Sequence, residues 1–421
     1  MRKYLQEPLV FVDYLQSLER AQLRISRRLF FFMFRPEFTA KPIGSVAALA
    51  AMLRLSQSVL LRISNSVDVL YDEFSILKKD GVSLRKICSP RRELKFIQKR
   101  INREIFANVL YPNYLHGGIV ERDYVKNAQM HSHSKCLIAL DVRDFYPSIK
   151  YEHVRSIFKN FCRFPDEVAR VLASLTTLGG SVPQGACTSS HLANLVFFEN
   201  EHRLVHVLEQ QKIRYTRLID DISLSTDKRV FGSKETPRLI TKVADLLSTR
   251  GMSLKNQKTQ VTSSENPETL MEVTGLWLNR GRPRLRRAER HDIRLCLRRV
   301  EKSFKISRYD ADYHENFNRV SGRVAKLTHI GHFEAPAYRE RLRGVLPHFD
   351  QPEKLRIMQH VNSLAKSDPT KRGTLEYIQR YFGIRYKINI IRRSDMNLAL
   401  QLEKLLRACR PTCSKDELIY G

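Results

Sequence analysis

The sequence lacks any long, uninterrupted apolar run. The run 29–34 is six residues long with arginines on both sides, and the longer stretch 43–61 is interrupted by Arg54 and Gln57. A membrane-spanning helix needs about 20 consecutive apolar residues, so both runs are expected to pack inside a folded protein. The chain opens Met-Arg-Lys and soon carries acidic residues, which does not fit a signal peptide. We therefore expect a cytoplasmic protein with no membrane partner.

Cysteine is scarce and unpatterned. The seven cysteines are an odd number and are scattered, which is more typical of a reduced cytosolic chain than of a disulfide framework. Cys409 and Cys413 lie four positions apart, but no neighbouring pair of Cys or His residues completes a tetrahedral zinc site. We therefore expect no metal at that end of the chain.

Acidic residues are few relative to basic ones. The 421 residues include 44 Asp and Glu against 73 Lys and Arg, which gives a formal charge of +29. The hydrophobic content of 42% is ordinary for a globular protein and excludes wholesale disorder. Such an excess is typical of proteins that bind a polyanion, and nucleic acid is favoured over a membrane surface. Two segments carry much of it, since 78–103 has ten basic and two acidic residues, and 280–308 has twelve and three.

The pattern of apolar residues divides the chain. Residues 1–70 show helical spacing, and Lys78-Lys79-Asp80-Gly81 is typical of the turn of a β-hairpin. From 135 to 279, an apolar strand that ends at Asp141 is followed by helical patterns and by a second strand-like run over 218–224. This alternation favours a mixed α and β fold over a helical bundle.

A basic helix is predicted after residue 280. Basic residues recur there every four positions: Arg286, Arg290, Arg294, Arg298 and Lys302. An apolar stripe runs beside them: Ile293, Leu297, Val300 and Phe304. One helix with a basic face and a buried face explains both series, although a basic face can also simply be solvated.

Three aspartates follow apolar, strand-like sequence. The run 137–140 leads directly into Asp141, and Leu218-Ile219 leads directly into Asp220-Asp221. Carboxylates at the ends of buried strands are costly to desolvate unless something compensates their charge. Two divalent ions bridged by such aspartates would do so and would clamp the oxygens of a phosphoryl transfer, and Mg²⁺ suits so sparse a ligand set. Taken alone, Asp220-Asp221 would more simply be a turn after a strand.

These aspartates belong to a longer series of motifs. In chain order the motifs are Lys78-Lys79-Asp80-Gly81 with Arg85, the segment 141–149, Ser181-Val182-Pro183-Gln184-Gly185, the segment 215–221, Asn256-Gln257-Lys258-Thr259 and Gly275-Leu276-Trp277-Leu278-Asn279. The series resembles the fingers hairpin and motifs A to E of reverse transcriptases, in the family's order. The resemblance implies a right-hand polymerase of fingers, palm and thumb, which is an α+β fold, and an RNA-directed DNA polymerase activity.

Two further elements resemble the retron branch of that family. Asn127-Ala128-Gln129-Met130-His131 matches the NAxxH element before motif A, and Val273-Thr274-Gly275 matches the VTG element. A group II intron-type enzyme is one alternative, against which these elements and the chain length argue. A catalytically silent RNA-binding scaffold is another, against which the intact aspartates argue. Leu218 stands where the family's motif C has tyrosine, and we expect catalysis to be retained with altered fidelity or nucleotide handling.

The resemblance assigns the chemistry to a few residues. Asp141, Asp220 and Asp221 would hold two Mg²⁺ ions, which Mn²⁺ can replace, with the Val142 carbonyl as an extra ligand. Lys258 would protonate the leaving pyrophosphate, unless it is only a surface lysine.

The nucleotide would be held by a second group. Lys79 and Arg85 would bind the triphosphate, unless their hairpin is merely a solvated basic one. Tyr146 would exclude a ribose 2′-OH, the alternative being a core aromatic beside Phe145. Gln184 would line the nucleotide pocket.

Contacts with nucleic acid are predicted outside the catalytic motifs. Asn127 and His131 would touch the cognate RNA, an interpretation favoured over a metal site shared by His131 and His133. The primer-gripping segment and the basic helix would contact the template–primer duplex through Trp277, Arg286, Arg290, Arg294 and Arg298.

The resemblance also implies an organisation and a setting. The expected domains are a helical N-terminal extension (1–70), fingers (71–134), palm with interleaved fingers elements (135–279), thumb (280–345) and a helical C-terminal extension (346–421). The expected partners are a cognate non-coding RNA template, dNTPs, the RNA–DNA duplex product and an effector protein encoded nearby, in a bacterial anti-phage defence system. Retron enzymes prime from a 2′-OH of that same RNA, but nothing in this sequence tests the priming group.

Overall fold

The computed structural model describes residues 35–77, 81–228, 231–266 and 269–420. The helical pattern predicted before residue 35 and the hairpin turn predicted at 78–80, including Lys79, lie outside these ranges. The strands within them are β1 Glu37–Phe38, β2 Tyr71–Leu77, β3 Leu84–Pro90, β4 Val109–Leu110, β5 Leu115–His116, β6 Cys136–Asp141, β7 Arg214–Leu218, β8 Asp221–Thr226, β9 Gln260–Ser263, β10 Glu272–Val273 and β11 Leu276–Trp277.

Helices make up most of the remaining described chain. They are α1 Val46–Met52, α2 Gln57–Asn65, α3 Arg92–Glu104, α4 Tyr124–Met130, α5 Phe145–Ser148, α6 Tyr151–Ser156, α7 Asp166–Thr176, α8 Ser189–Leu195, α9 Glu201–Gln210, α10 Glu235–Ser248, α11 Arg287–Ile306, α12 Ala311–His329, α13 Ala335–Arg343, α14 Gln351–Ala365, α15 Leu375–Ile391, α16 Met396–Ala408 and α17 Lys415–Tyr420. The predicted mixture of helix and sheet is confirmed.

A five-stranded sheet lies at the centre of the first part of the chain. Its strand order is β5-β7-β8-β6-β9, in which β5 runs parallel to β7 and the other neighbouring pairs are antiparallel. The sequence Cys-Leu-Ile-Ala-Leu-Asp of β6 is buried along nearly its whole length, as expected for a strand with both faces covered. The predicted strand ending at Asp141 is confirmed. The single strand-like run predicted over 218–224 is instead parts of two strands, β7 and β8, separated by a turn at 219–220.

Helices pack on this sheet and share one hydrophobic core with it. The core includes Phe106 and Phe158, whose rings are 5.9 Å apart, and Phe197. Several of the helices begin at side-chain caps, as at α4, where Asp123 accepts hydrogen bonds from the backbone N–H groups of the first turn. The sheet therefore rests on a well-packed base, and its strand ends are held in fixed positions.

β2 and β3 form a separate antiparallel hairpin. They pair in register over 71–77 and 84–90, and most of β2 is exposed. At the base of the hairpin, the Cys88 N–H donates to the Gln184 carbonyl at 2.8 Å. The two strands predicted on either side of the turn are confirmed.

The described chain falls into two compact units, the first ending at Arg282 and the second beginning at Pro283. The second unit is helical. In it, α11 packs against α12 and α12 against α13, while α14, α15 and α16 pack around a core that includes Ile357, Ile388 and Leu402. The helical character predicted for the last part of the chain agrees with this, and the finer domain boundaries stay predictions.

The basic helix predicted after residue 280 is α11. Its apolar stripe is confirmed, because Ile293, Leu297 and Val300 are buried and Phe304 is partly buried. The basic stripe is partly exposed, as at Arg298, and partly hydrogen-bonded within the protein, as at Arg294.

Within the described ranges, no single helix is long and apolar enough to cross a membrane. α1 and α2 meet the length and composition required only as a pair, and that pair is bent by 94°. Both helices contribute to the core, through Leu49 and Leu60 among others.

Candidate active site

The three predicted aspartates meet at one edge of the five-stranded sheet. Asp141 is the last residue of β6, and it lies directly opposite Asp221, the first residue of β8, in the antiparallel register. Asp220 belongs to the turn between β7 and β8, where Leu218 pairs with Asp221. The strand ends therefore bring three aspartates to one place, although two of them are 79 and 80 positions away from the first along the chain.

Backbone hydrogen bonds fix this edge from two sides. The Val142 N–H donates to the Asp220 carbonyl at 3.1 Å, which ties the end of β6 to the β7–β8 turn. On the other side, the Lys255 N–H donates to the Asp141 carbonyl at 2.8 Å, and the Arg143 N–H donates to the Ser253 carbonyl at 2.9 Å. The position of each aspartate is thus set by main-chain geometry rather than by side-chain packing alone.

Lys258 contributes a positive charge to this edge. Its Nζ lies 2.9 Å from Asp141 Oδ2. The hydrogen bond to Asp141 raises the pKa of Lys258, and the charges of Asp221 and Asp220 raise it further. The Lys258 side chain is more than half exposed, so it can exchange Asp141 for another anion while the protein stays folded. The structure therefore brings Lys258 to the aspartates, as the predicted role in proton transfer requires.

Arg85 and Tyr146 also reach this site. Burial raises the pKa of Asp220, and the Asp141 carboxylate adds to the effect, while the charges of Lys258 and Arg85 oppose it. Burial and the charge of Asp220 raise the pKa of Tyr146 to about 12, so its hydroxyl stays protonated near neutral pH. Two predicted nucleotide-binding residues, one from β3 and one from α5, thus lie within electrostatic reach of Asp220.

Gln184 and Gly185 connect the site to the β2–β3 hairpin. Besides the hydrogen bond from Cys88 to the Gln184 carbonyl, the backbone of Gly185 passes close to β3, with φ of +113°. A Cβ there would lie 2.8 Å from Ile87 Cγ2 and 3.0 Å from the Cys88 carbonyl oxygen. Only glycine permits this approach. The loop that carries Gln184 is consequently fastened to the strand that carries Arg85.

The donor atoms at this edge suit a divalent ion that arrives with its substrate. Within the described residues, no three His, Cys, Asp or Glu side chains form a ready-made metal site. The Asp141 and Asp220 carboxylates are nevertheless close enough for one to raise the pKa of the other, and the Val142 carbonyl follows Asp141 directly. Mg²⁺ is often held by one or two carboxylates together with substrate phosphates. This donor set fits that mode of binding.

The predicted RNA contacts of Asn127 and His131 do not fit the structure. Both side chains are fully buried. His131 Nδ1 lies 2.7 Å from Ser225 Oγ and His131 Nε2 lies 2.7 Å from Thr216 Oγ1, so the ring joins β7 to β8 from inside. Burial lowers the pKa of His131 to about 3. Since neither side chain reaches the surface, the prediction is corrected: Asn127 lies in the interior, and His131 joins two strands of the sheet behind the aspartates.

The basic stripe of α11 is divided between two environments. Arg286 and Arg298 are exposed, as expected for nucleic-acid contacts. Arg294 instead donates to the Tyr338 hydroxyl at 3.1 Å and to Glu334 at 3.3 Å, and Arg290 Nη1 lies 3.4 Å from His332 Nε2. Two members of the predicted four-residue binding face are thus already hydrogen-bonded within the protein, and the binding face as a whole stays a prediction.

Trp277 lies on β11 and is partly exposed. The guanidinium of Arg280 lies over its ring, 5.6 Å from the centroid. The residue thus presents an aromatic face together with a positive charge, which is compatible with its predicted contact with a nucleic-acid duplex.

The sequence interpretation missed a buried ion pair next to the aspartates. Arg217 and Glu201 have side-chain exposures of 0% and 2%, and Arg217 Nε lies 2.6 Å from Glu201 Oε1. Burial alone would lower the pKa of Arg217, but the Glu201 carboxylate more than offsets it, so the pKa is raised. A signal was present, since Arg217 directly precedes Leu218-Ile219, the apolar residues that lead into the aspartates. Its partner is 16 positions away and no local pattern pairs them.

Comparison with known proteins places this geometry in context. Residues 76–290 match the family model described as reverse transcriptase (RNA-dependent DNA polymerase). The chain is 36% identical to the retron Se72 reverse transcriptase of Salmonella heidelberg over 381 residues, covering 90% of this chain and 100% of that one. It is 27% identical to the retron Ec48 reverse transcriptase of Escherichia coli, covering 87% and 92%. A telomerase structure from Candida tropicalis, solved with a fragment of telomeric RNA, matches at a TM-score of 0.37 and 11% identity over 84% of this chain and 68% of that one.

Proposed function

Because the chain belongs to the retron-type reverse transcriptases and is an RNA-directed DNA polymerase with a right-hand fold, we propose that it copies a dedicated structured non-coding RNA into DNA. The proposal is supported by the similarity to two retron enzymes over most of their length. It includes dNTPs as substrates and an RNA–DNA duplex as product, and it places the reaction at the edge formed by Asp141, Asp220 and Asp221.

One observation carries the proposal most directly. In the antiparallel register Asp141 faces Asp221, Lys258 lies against Asp141, the charge of Arg85 acts on Asp220, and the charge of Asp220 acts on Tyr146. Nucleotide addition needs negative donors where the ions bind, cations for the triphosphate, and a wall that shapes the sugar pocket. All of these residue types meet here, from four separate parts of the sequence.

We propose that each of these residues has a distinct role in nucleotide addition. The Arg85 guanidinium binds triphosphate oxygens through its planar fork. The Tyr146 ring closes the space that a ribose 2′-OH would occupy. Lys258 holds its proton near Asp141 and gives it to the pyrophosphate as that group leaves. Gln184 lines the nucleotide pocket from a loop that is fixed to β3.

Asp141, Asp220 and the Val142 carbonyl would hold Mg²⁺, together with Asp221. When bound, two such ions activate the primer hydroxyl and stabilise the charge on the triphosphate. Mn²⁺ has the same preference for carboxylate and carbonyl oxygens and is expected to substitute.

Primer extension on an RNA template tests the reaction. The double variant Asp220→Asn with Asp221→Asn should lower the rate of dNTP incorporation by about 10³-fold or more, because several kcal/mol of transition-state stabilisation is lost. The matched control is Asp227→Asn with Asp245→Asn, which makes the same change of charge at two exposed positions and should leave the rate unchanged. Equal rates in wild type and in the Asp220/Asp221 variant would refute the assignment of the site.

We further propose that this synthesis serves anti-phage defence together with an effector protein encoded nearby. The support is the retron-type family of the chain. Bacteria that express the chain with its neighbouring genes should resist some phages, and the Asp220/Asp221 variant should remove the resistance. Resistance that persists in that variant would separate defence from DNA synthesis.

A further inference from the structure

The buried pair Arg217–Glu201 lies directly behind the catalytic turn. The Arg217 guanidinium donates from Nε to Glu201 Oε1 at 2.6 Å and from Nη2 to Glu201 Oε2 at 2.7 Å, which is a bidentate contact. The Tyr215 hydroxyl donates to Glu201 Oε1 at 2.7 Å and so fixes the carboxylate. Charges removed from water are costly, and they are retained only where their remaining hydrogen-bonding groups are satisfied.

The other guanidinium hydrogens are directed at the backbone around the turn. Nη1 donates to the Ala193 carbonyl at 2.9 Å and to the Ile219 carbonyl at 3.2 Å, and Nη2 donates to the Asn194 carbonyl at 3.0 Å. Arg217 therefore joins three elements: α8, the start of α9 through Glu201, and the β7–β8 turn. Of its backbone contacts, the one to Ile219 lies next to Asp220.

Ile219 has a conformation that needs such support. Its φ is +60°, in the left-handed region that a β-branched residue rarely adopts. A residue in this region persists only where its surroundings determine it. The side chain of Ile219 packs so closely on Gly117 that a Cβ at Gly117 would lie 3.0 Å from Ile219 Cγ1. The Asn194 amide in turn donates to the Gly117 carbonyl at 2.8 Å.

We propose that Arg217 and Glu201 are positioning residues for DNA synthesis, which hold Ile219 in its left-handed conformation so that Asp220 stays aligned with Asp141. The proposal rests on DNA synthesis at the aspartates, and it adds a structural condition for it. The hydrogen bond from the Val142 N–H to the Asp220 carbonyl connects the turn to the end of β6, where Asp141 lies. If the guanidinium contact to Ile219 is lost, the turn relaxes, and Asp220 moves away from its partner.

A purely structural role for the pair makes a different prediction. A buried ion pair that only stabilises the fold would affect unfolding and leave the turnover of the folded protein unchanged. A positioning pair affects kcat while the KM for dNTPs and the affinity for RNA stay close to wild type. Its effect should also depend on the strain at Ile219, because a residue that tolerates the left-handed region needs no clamp.

The test uses the full chain with its co-purified RNA. Arg217→Lys keeps the charge but cannot reproduce the planar fork, and Arg214→Lys is the control on the same strand, where Arg214 pairs with the exposed Asp227. We expect Arg217→Lys to lower kcat by about 100-fold, the effect of a small misplacement of reacting groups, with the KM for dNTPs and the RNA affinity within about twofold. Arg214→Lys should match wild type.

Ile219→Gly supplies the decisive comparison. Introduced with Arg217→Lys, it should recover about tenfold or more of the lost kcat, since glycine takes the left-handed conformation without strain. Hydrogen exchange should detect the displacement of the turn: the Val142 amide, which bonds to the Asp220 carbonyl, should exchange faster in Arg217→Lys than in Arg214→Lys.

Two results would overturn the proposal. A kcat within about threefold of wild type in Arg217→Lys would show that the fork is not needed. A large loss of kcat that Ile219→Gly does not relieve would show that Arg217 acts by another route. Loss of activity in Asp220→Asn alongside full activity in Arg217→Lys would remove this proposal alone, whereas activity in Asp220→Asn would remove the proposed function itself.

Discussion

Two groups of charged residues around β6, β7 and β8 differ in how exposed their cations are. At the edge of the sheet, Asp141 faces Lys258, whose side chain is 56% exposed, and Arg85 is likewise exposed. In the interior, Arg217 and Glu201 are both buried. Besides its ion pair with Glu201, the guanidinium donates hydrogen bonds to backbone carbonyls from both terminal nitrogens. The edge charges can exchange their partners for a substrate, whereas the interior charges cannot do so without opening the sheet.

The candidate catalytic residues thus lie at the edge of the sheet, whereas the residues that fix the geometry of the strands lie inside it. Exposed countercharges leave the aspartates ready for an incoming triphosphate and its ions. Saturated buried charges give the same strands a fixed geometry. His131 likewise gives the strands a fixed geometry, although its motif predicted a contact with RNA, because it bonds to Thr216 and Ser225 inside the sheet.

Removing one edge carboxylate should have the largest effect. Asp141→Asn is expected to lower DNA synthesis by about 10³-fold or more, since it removes the charge that opposes Lys258 and that we propose holds the ions. Steady-state dNTP incorporation measures it. The melting temperature should change little, because asparagine has the size and shape of aspartate and the Lys258 side chain that loses its partner is largely exposed. A folded variant with near wild-type turnover would show that the edge carboxylate is not needed for DNA synthesis.

The wall of the nucleotide pocket should give the next largest effect. Tyr146→Ala is expected to raise the use of ribonucleotides relative to deoxyribonucleotides by about 100-fold, the upper range of what steric exclusion supplies. Tyr146→Phe keeps the ring and should keep the discrimination. Competition between rNTPs and dNTPs measures both variants. Unchanged discrimination in Tyr146→Ala would favour a core role, in which the ring only packs on Phe145, 6.1 Å away.

In the interior, His131 should affect stability through pH. Its pKa is about 3 in the folded chain, below the ordinary 6.5, so under pH 6.5 the unfolded chain binds a proton that the folded chain does not. Stability therefore falls as pH drops, by roughly 1 kcal/mol between pH 7.5 and 5.5 for this group. Urea unfolding should show that His131→Gln loses this part of the dependence.

The control for that measurement is His291→Gln, at an exposed position of α11. It should keep the full wild-type dependence of stability on pH. Parallel curves for His131→Gln and wild type would mean that the imidazole takes up a proton in the folded chain, and would place it outside the interior group.

The smallest expected effect repeats the contrast on α11. Arg298→Gln should weaken RNA binding a few-fold and reduce the slope of log K against log salt by about one, as for loss of one phosphate contact. Arg294→Gln should leave the slope unchanged and lower thermal stability, because Arg294 bonds to Glu334 and Tyr338. Titrations at several salt concentrations distinguish the two. Equal slopes for both variants would show that α11 has no division of roles.

The sequence predicted the edge well and the interior poorly, for a physical reason. Asp141, Asp220 and Asp221 each follow an apolar run, and the pairing of antiparallel strands brings such ends together. Arg85, Tyr146, Gln184 and Lys258 came with recognisable motifs.

The interior depends on pairings that no local pattern records. Arg217 and Glu201 meet because α9 packs on β7, and Arg290 lies beside His332, which is 42 positions away along the chain. Asn127 and His131 belong to a motif from which we predicted contacts with RNA. The sequence does not distinguish polar residues that face the solvent from polar residues that are buried.

The central claim is that the aspartate edge copies a dedicated RNA into DNA. Sequencing of the nucleic acid that co-purifies with wild type and with Asp141→Asn tests it most directly. We predict one discrete RNA with wild type, partly converted to DNA of a defined sequence, and the same RNA without DNA in the variant. The same DNA in both preparations, or DNA unrelated to any bound RNA, would contradict the account.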